Sequence, residues 1–261
     1  MQNRSRRCGA YTGIRRYDWR FALRKRRDGK RKICSNSIRS IILELKILFE
    51  DKHLIAVVKP YGVLSQGNEN TKSICNDIAE YLKKKGEKGE VFVLHRLDKT
   101  TGGVIVFAKT KEASAKMSAL IQSGEFHKVY YAVVEGKLSR NTGALGDLLY
   151  HDKAKNKTYV VKRERKGVKE AKLCYVSHGE SIYNDKEVTK VEVLLLTGRT
   201  HQIRVQFASR KHPLVGDRKY GSSINSKEIA LWSREINFKH PMTNEFVKIT
   251  AEPENEVFDV F

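Results

Sequence analysis

Three polar segments interrupt otherwise apolar stretches of the chain, and they hold the residues best suited to chemistry. The first, at 95–103, places Asp98 between Arg96 and Lys99 in a turn that ends in two glycines. Neighbouring cations can keep that carboxylate ionised, and a turn can direct it into a cleft. A purely structural ion pair would leave the same pattern. The segment therefore indicates either a reactive carboxylate or a turn that is stabilised by charge.

The other two segments could contact a charged or aromatic partner. The segment at 198–204 holds four such side chains: Arg199, His201, Gln202 and Arg204. Arginine, histidine and glutamine at a junction between a strand and a helix are suited to phosphate or carboxylate groups. Residues 128–131 place Tyr130 at the start of a strand, where a tyrosine either packs in the core or lines a cleft.

Short strands and a few helices must position these segments. Residues 54–58 form a largely β-branched run that ends at the turn 59–62, which predicts a strand. Ile74, Ile78 and Leu82 recur at helical spacing and predict a helix over 73–85. By the same criteria, further strands are expected at 104–108, 129–135, 157–163, 171–177 and 188–196, and further helices at 111–123 and 201–210. The irregular alternation of strands and helices favours an α+β fold with a mostly antiparallel sheet.

The charge balance points to a polyanionic partner. The 261 residues include 51 Lys and Arg against 30 Asp and Glu, a formal net charge of +21. More than half of that excess lies in the first 40 residues, which carry 14 Lys and Arg and 2 acidic residues. Nucleic acid is the favoured partner, ahead of an anionic membrane surface. We interpret residues 1–42 as a basic, disordered N-terminal arm and residues 43–261 as one globular domain.

Several classes of protein lack support in the sequence. No stretch approaches the roughly 18 consecutive apolar residues that a membrane-spanning helix needs. The cysteines are far apart, with neither a Cys-x-x-Cys pair nor histidines at metal-ligand spacing, so no metal site is predicted. A glycine-rich phosphate-binding loop is also missing, and no nucleotide cofactor is expected. Without a secretory signal, reduced thiols in a cytoplasmic protein are the expectation.

The polar segments and their neighbours together resemble a known family. In order along the chain, six segments carry the resemblance: 59–62 (Lys-Pro-Tyr-Gly), 95–103, 128–136, 198–205, 212–221 and 230–241. They are similar to the motifs of the RNA pseudouridine synthases, in the branch that modifies ribosomal and transfer RNA and is typified by the RluA enzymes. Three departures are Gly102 where the family commonly has Ser, and Gln206 and Trp232 where it has His. None removes a reacting group, so we expect them to affect loop geometry or RNA contacts.

The resemblance implies a pseudouridine synthase fold, in which a mostly antiparallel mixed sheet in two halves is flanked by helices around a central RNA-binding cleft. It also implies that the domain at 43–261 is catalytic and isomerises uridine in RNA. In that reaction the bond from C1′ to N1 breaks and a bond from C1′ to C5 forms, without a cofactor or metal. The target uridine must first leave its stack, since a base inside a helix is out of reach.

Roles for particular residues follow from the same resemblance. Asp98 is the essential carboxylate, acting either covalently or by proton removal, and Arg204 supplies an opposite charge with a bidentate hold. Tyr130 lies against the target uracil, and Leu231 packs on the other side of the base. Arg96 fills the vacated space or grips the RNA backbone. Phosphate or support contacts are expected from five further residues: Lys59, Lys128, Arg199, His201 and Gln202.

The expected substrate is structured RNA, with large-subunit ribosomal RNA favoured and transfer RNA second. We expect a monomer with no membrane partner. The alternative is a catalytically silent RNA-binding or ribosome-assembly factor on the same fold, because fold alone does not establish function. A glycosidase is less favoured because it needs two carboxylates, whereas Asp217 lies at a turn that it is expected to cap.

Overall fold

The computed structural model describes residues 45–68 and 71–261. The predicted arm at 1–42, and its boundary with the domain, lie outside the described residues. In the described part the strands are β1 (Ile47–Glu50), β2 (Leu54–Lys59), β3 (Phe92–Val93), β4 (Gly102–Ala108), β5 (His127–Glu135), β6 (Thr142–Asp152), β7 (Lys157–Val161), β8 (Val168–Tyr183), β9 (Lys186–Leu195), β10 (Leu231–Lys239) and β11 (Phe246–Thr250). The helices are α1 (Ile74–Lys84), α2 (Lys111–Ser123) and α3 (Gln202–Ala208), with 3₁₀ turns at Arg218–Tyr220 and Glu256–Phe258. None of these described helices is long and apolar enough to cross a membrane.

All the described strands belong to one sheet, in the order β1-β2-β4-β10-β5-β9-β8-β6-β7, with β3 also paired to β4 and β11 to β10. Neighbouring strands are antiparallel except β4 and β10, which run parallel. Strand β10 lies between β4 and β5 and joins the two halves of the sheet. The predicted α+β fold with a mixed, mostly antiparallel sheet is confirmed.

Both faces of the central strands are covered. Along β2, Ile55 and Val57 belong to the cluster that contains α1 and α3, whereas Ala56 and Val58 belong to the cluster that contains α2 and the C-terminal turn. Every residue of β2 and β4 is buried. A strand with two covered faces has a continuous apolar run instead of alternating polar positions, and this explains the pattern at 54–58.

Helix α1 confirms the helix predicted over 73–85. Its apolar residues Ile74, Ile78 and Leu82 are almost completely buried, and each contributes roughly 1.5–3 kcal/mol by leaving water. The helix begins after Ser73, whose hydroxyl accepts a hydrogen bond from the Asn76 N–H at 3.3 Å. Such a cap satisfies one of the amide groups that the first turn leaves without a helical partner.

Five strands, β1, β3, β6, β10 and β11, were not predicted. In β10 the polar residues Ser233, Arg234 and Glu235 interrupt the apolar run, although the strand lies in the middle of the sheet. The Ser233 hydroxyl donates to the Val104 carbonyl at 2.9 Å, and the Glu235 carboxylate pairs with Lys248 at 2.9 Å. These contacts come from residues distant in sequence, so tertiary pairing decides the conformation where the local pattern does not.

The departures from the family pattern at 102 and 232 occupy the same space. Gly102 of β4 and Trp232 of β10 are directly paired in the parallel register. A Cβ atom on residue 102 would lie 2.8 Å from Cε3 of the Trp232 indole, which is closer than such atoms can approach. The indole is completely buried and its Nε1 donates to the Ala251 carbonyl at 2.9 Å. The indole therefore fills the volume that a side chain on residue 102 would need.

Because residues 102 and 232 share one volume, we expect substitutions at the two positions to have coupled effects on the free energy of unfolding. Gly102→Ser forces the hydroxymethyl group into the fixed indole, and we expect the free energy of unfolding to fall by about 1–3 kcal/mol or more. The double variant Gly102→Ser/Trp232→His should recover part of that loss, since the smaller ring vacates the space. Urea denaturation followed by circular dichroism measures the cycle. Strictly additive single effects would show that the two positions are independent.

Candidate active site

The turn that carries Asp98 is held from behind by the loop that follows β2. The Ser65 hydroxyl accepts a hydrogen bond from the Leu97 N–H at 2.9 Å and donates to the Leu97 carbonyl at 2.8 Å. The Gly62 N–H, in a turn with φ of +77°, donates to the Lys99 carbonyl at 2.8 Å. The residues on both sides of Asp98 are thus fixed to the 60–65 loop, which limits the positions open to its carboxylate.

Lys59 holds the same loop from inside the protein. Its side chain is completely buried, and its Nζ donates to the carbonyls of Pro60 at 2.9 Å and Val63 at 2.7 Å. Burial lowers the pKa of Lys59 to about 8, and the charge of Asp98 opposes that shift. Of the phosphate or support contact expected for Lys59, its hydrogen bonds are those of support, because they hold the loop behind Asp98.

A buried arginine stands between two carboxylates. The Arg204 Nη1 of α3 lies 3.5 Å from Oδ2 of Asp98. Its Nε and Nη2 donate to the two oxygens of Asp217 at 2.6 and 2.8 Å. Two expectations are therefore corrected: the bidentate partner of Arg204 is Asp217 and not Asp98, and Asp217 makes no hydrogen bond to cap its turn. A buried guanidinium needs a buried counter-ion, and Asp217 is fully enclosed.

The charges around Arg204 keep it protonated. Burial acts to lower the pKa of Arg204, but the hydrogen bonds and charge of Asp217, together with the charge of Asp98, outweigh burial and raise it. The guanidinium is therefore a permanent positive charge beside Asp98. It also lies over the Tyr220 ring, 5.1 Å from the ring centre, so a third group limits its movement.

The two oxygens of Asp98 have different surroundings. Oδ2 faces Arg204 Nη1 at 3.5 Å and His201 Nε2 at 3.8 Å. Among the described residues, no hydrogen bond is made to Oδ1. The side chain keeps 27% of its surface exposed, although Arg204 and His201 are both buried. One oxygen is therefore positioned by the protein while the other is free to meet a reacting group.

Tyr130 lies in the cluster of buried residues beneath Asp98. It belongs to β5 and is 6% exposed, in the same cluster as Leu97 and Leu231. Burial and the charge of Asp98 both raise the pKa of Tyr130, while the neighbouring Ser233 side chain opposes them. The phenol consequently keeps its proton at neutral pH. Leu231 is 4% exposed on the adjacent β10, so the structure brings it together with Tyr130.

The remaining predicted contacts divide between surface and interior. Arg96 is exposed, and in the part of the chain that the structure describes its side chain has no ion-pair partner. Arg199 is also exposed, with Nε donating to the Glu170 carbonyl at 2.9 Å. Lys128 is half-buried, and burial lowers its pKa. Arg96 and Arg199 are therefore free to reach an RNA backbone, and Lys128 is less so.

Gln202 is buried and holds neighbouring segments of the protein together through hydrogen bonds. It is 3% exposed, and its Oε1 accepts hydrogen bonds from the Thr197 hydroxyl at 2.8 Å and the Arg199 N–H at 3.0 Å. Its Nε2 donates to the Lys172 carbonyl at 3.0 Å. These three bonds occupy the amide and fix the junction between β9 and α3, which matches the support contact that was one of the two roles expected for Gln202.

Gln206, another position where the chain departs from the family pattern, lies on the side of α3 opposite to the Arg204–Asp98 ion pair. Gln206 is completely buried, and its Nε2 donates to Asp147 of β6 at 2.8 Å. The same carboxylate is held by both terminal nitrogens of Arg210, at 2.9 and 3.1 Å. The glutamine therefore joins α3 to β6 and takes no part in the contacts of Asp98.

Comparison with protein families matches residues 53–209 to the model described as RNA pseudouridylate synthase. The matched range spans more than half of the chain and contains Asp98, Tyr130 and Arg204. The chain belongs to the RNA pseudouridine synthase family. It is accordingly an isomerase that converts uridine to pseudouridine in RNA.

Individual relatives agree with this assignment. This synthase is 36% identical over 214 residues to "Uncharacterized RNA pseudouridine synthase YhcT" of Bacillus subtilis (strain 168), covering 80% of this chain and 68% of the relative. It is 34% identical over 205 residues to "Dual-specificity RNA pseudouridine synthase RluA" of Vibrio vulnificus (strain CMCP6), covering 76% and 79%. The solved structure "Human RNA Pseudouridylate Synthase Domain Containing 1" superposes with a TM-score of 0.67 at 20% identity, covering 83% of this chain and 86% of that one. That structure shares the fold.

Sequence reasoning missed three residues that shape the site of this synthase. Asp217 and Tyr220 lie in the 212–221 segment, where only a turn-capping role was expected for Asp217 and no role for Tyr220. Ser65, which holds the turn at Leu97, follows the 59–62 motif. A buried acidic residue close to Arg204 is the signal that could have identified Asp217, but burial is not visible in one sequence.

Proposed function

We propose that this enzyme isomerises one or more specific uridines in structured RNA, with Asp98 as the essential carboxylate and large-subunit ribosomal RNA as the favoured substrate. The observation that carries the proposal is the environment of Asp98. Its carboxylate is ionisable, partly exposed, held at one oxygen by a buried arginine and free at the other. A carboxylate in that state can attack a sugar carbon or remove a proton without first breaking strong contacts of its own.

The neighbouring residues supply the other requirements of the reaction. The bond from C1′ to N1 breaks, the uracil turns, and C5 joins C1′ and then loses its hydrogen while N1 gains one. Tyr130 offers a flat face for the uracil and a protonated hydroxyl close to the charge of Asp98. Arg204 places a permanent positive charge 3.5 Å from Oδ2 of Asp98 and orients the carboxylate. Leu231, buried beside Tyr130, can close the apolar wall of the base pocket.

Exposed basic residues near this site suit an RNA partner. The β6–β7 hairpin, the turn after it and the start of β8 carry seven exposed cationic side chains: Lys153, Lys155, Lys162, Arg163, Arg165, Lys166 and Lys169. The hairpin is tied to the site, because the Thr158 N–H donates to the Tyr220 hydroxyl at 2.8 Å. Phosphates that contact such residues position RNA without reading its sequence. Arg96, exposed two residues before Asp98, is the side chain we propose to enter the gap left by the extruded uridine.

The choice of RNA rests on the relatives. One matched relative is named "Ribosomal large subunit pseudouridine synthase D" and another "tRNA pseudouridine synthase C". We favour ribosomal RNA and place transfer RNA second. We also propose that the enzyme is a monomer and that it acts in the cytoplasm.

Tritium release tests the proposal directly. RNA transcribed with 5-tritiated uridine loses its label only when C5 becomes bonded to the sugar. We expect release from a large-subunit ribosomal RNA fragment, and mapping of pseudouridines in a strain that lacks the gene should show the same uridine unmodified. Release from transfer RNA alone would contradict the favoured substrate. Tight RNA binding with no release from either RNA would contradict catalysis by this chain.

Removal of residues 1–42 is expected to weaken RNA binding and to leave the chemical step unchanged. The arm holds more than half of the net positive charge, whereas the residues around Asp98 all lie outside it. We expect kcat to stay the same, the affinity for RNA to fall, and the slope of log K against log salt to lose about 0.7–0.9 for each phosphate contact removed. Fluorescence anisotropy over a salt series measures both quantities. A truncated chain that cannot turn over saturating RNA would contradict the prediction.

A further inference from the structure

His201 has an unusual backbone and a fully engaged side chain. It immediately precedes α3 with φ of 54° and ψ of 24°, the left-handed region that a residue with a Cβ atom rarely occupies. Its side chain makes no capping hydrogen bond to the helix. The residue is 7% exposed, which favours the support contact over the phosphate contact among the two expected for it. A strained, buried residue persists only where its surroundings determine its position.

The surroundings consist of a hydrogen-bond chain that ends at Tyr220. The Thr158 hydroxyl donates to the Thr200 carbonyl at 2.9 Å, and the Thr158 N–H donates to the Tyr220 oxygen at 2.8 Å. The Tyr220 oxygen thus already accepts one hydrogen bond, and its own hydrogen has His201 Nδ1 within reach, 2.9 Å away. With Nδ1 as the acceptor, a neutral imidazole carries its hydrogen on Nε2.

We propose that Tyr220 is a positioning residue that fixes His201 as the neutral Nε2–H tautomer, so that this N–H is directed at Oδ2 of Asp98. The proposal rests on the proposed role of Asp98. Nε2 lies 3.8 Å from Oδ2, on the same oxygen that Arg204 approaches. A small closing movement on RNA binding converts this approach into a hydrogen bond. Oδ1 then stays available for the reaction.

The charges that face His201 oppose one another. Asp98 and Asp217 are the acidic groups, Arg204 and Lys219 are the basic ones, and the His151 ring of β6 meets the imidazole edge-on at 6.2 Å. Burial lowers the pKa of His201 to about 4, and Asp98 opposes that shift. A neutral imidazole at physiological pH matters because an imidazolium would pair with Asp98 and weaken its reactivity.

The tautomer can be read directly by NMR. The full chain with ¹⁵N-labelled histidine is studied by long-range ¹H–¹⁵N correlation at neutral pH, and His201→Gln assigns the signals. We expect the Nε2–H pattern for His201 in the unaltered chain. Tyr220→Phe keeps the ring over Arg204 but removes the donor to Nδ1, so the variant should show mixed tautomers and a higher pKa for His201. This readout does not depend on turnover.

Kinetics give a second measurement on the same variant. We expect kcat of Tyr220→Phe to fall about fivefold, the effect of one neutral hydrogen bond, with KM for RNA unchanged. The acidic limb of the kcat profile should move to higher pH because His201 is protonated more readily. Tyr183→Phe is the matched control, since its hydroxyl bonds to the exposed Glu256 at 3.2 Å and to Ser226, neither of which contacts His201. That variant should match the unaltered chain throughout.

Two results would overturn the inference. One is an Nδ1–H tautomer of His201 in the unaltered chain. The other is a Tyr220→Phe variant whose histidine spectrum and acidic limb equal those of the unaltered chain. Failure of the proposed function has a different signature, in which no RNA releases tritium while the NMR spectra still report which tautomer His201 adopts.

Discussion

Asp98→Asn is expected to abolish pseudouridine formation while the protein stays folded and binds RNA. The amide has nearly the shape of the carboxylate but cannot act as a nucleophile or as a base. We expect the turnover rate to fall by roughly a thousandfold or more, because the substitution removes the group on which the chemistry depends. The side chain is partly exposed and contributes one long contact to Arg204, so its loss should leave the free energy of unfolding little changed. Tritium release and urea denaturation measure the two effects.

The matched control for this variant is Asp185→Asn. Asp185 is exposed in the turn between β8 and β9, and asparagine tolerates its positive φ of 58° as well as aspartate does. The control removes the same charge from the same net total, so any loss of RNA affinity due to overall charge appears equally in both variants. Turnover of Asp98→Asn close to that of Asp185→Asn would show that Asp98 is not the reactive carboxylate.

Asp217→Asn is expected to destabilise the protein strongly. The carboxylate is completely buried and holds two nitrogens of Arg204 at 2.6 and 2.8 Å. Replacing it by an amide leaves a buried guanidinium without its main counter-ion, which typically costs about 3–5 kcal/mol. The arginine is then drawn toward Asp98 as its remaining partner, so turnover should fall as well. Urea denaturation of Asp217→Asn against the unaltered chain gives the size of the effect.

A paired replacement separates stability from catalysis. Removing both charges in Arg204→Met/Asp217→Leu leaves no buried ion, so most of the lost stability should return. Turnover should stay low, because Asp98 has lost the positive charge at Oδ2. If Asp217→Asn unfolds at the same urea concentration as the unaltered chain, Arg204 does not depend on Asp217 and the proposed support of the site is wrong.

Local features of the fold could be predicted, and long-range ones could not. The helix at α1 follows from the spacing of Ile74, Ile78 and Leu82, which one short segment contains in full. The polar turn around Asp98 was likewise recognisable from its own residues. Strand β10 was missed because its stability comes from β4 and β5, more than 90 residues earlier in the chain. No local pattern records pairing across such a distance.

Polar residues were the least predictable part of the site. Lys59, Gln202 and Asp217 were placed at the RNA interface or at a surface turn, and the structure buries all three. Buried and exposed polar residues have the same letters in a sequence. They differ only in whether the fold supplies hydrogen-bond partners, as the carbonyls of Pro60 and Val63 do for Lys59. The partners of buried polar residues were therefore the hardest feature of the site to predict.

The central position of β10 has a consequence for synthesis on the ribosome. Chains emerge N-terminal end first, at roughly 5–20 residues per second. Strands β4 and β5 are complete at Ala108 and Glu135, yet the strand between them ends at Lys239. Until it emerges, both strands keep an open hydrogen-bonding edge in the nascent chain, and such edges invite pairing with other chains. The contact between Tyr130 and Leu231 cannot form earlier, so this part of the buried core is completed only when synthesis has passed β10.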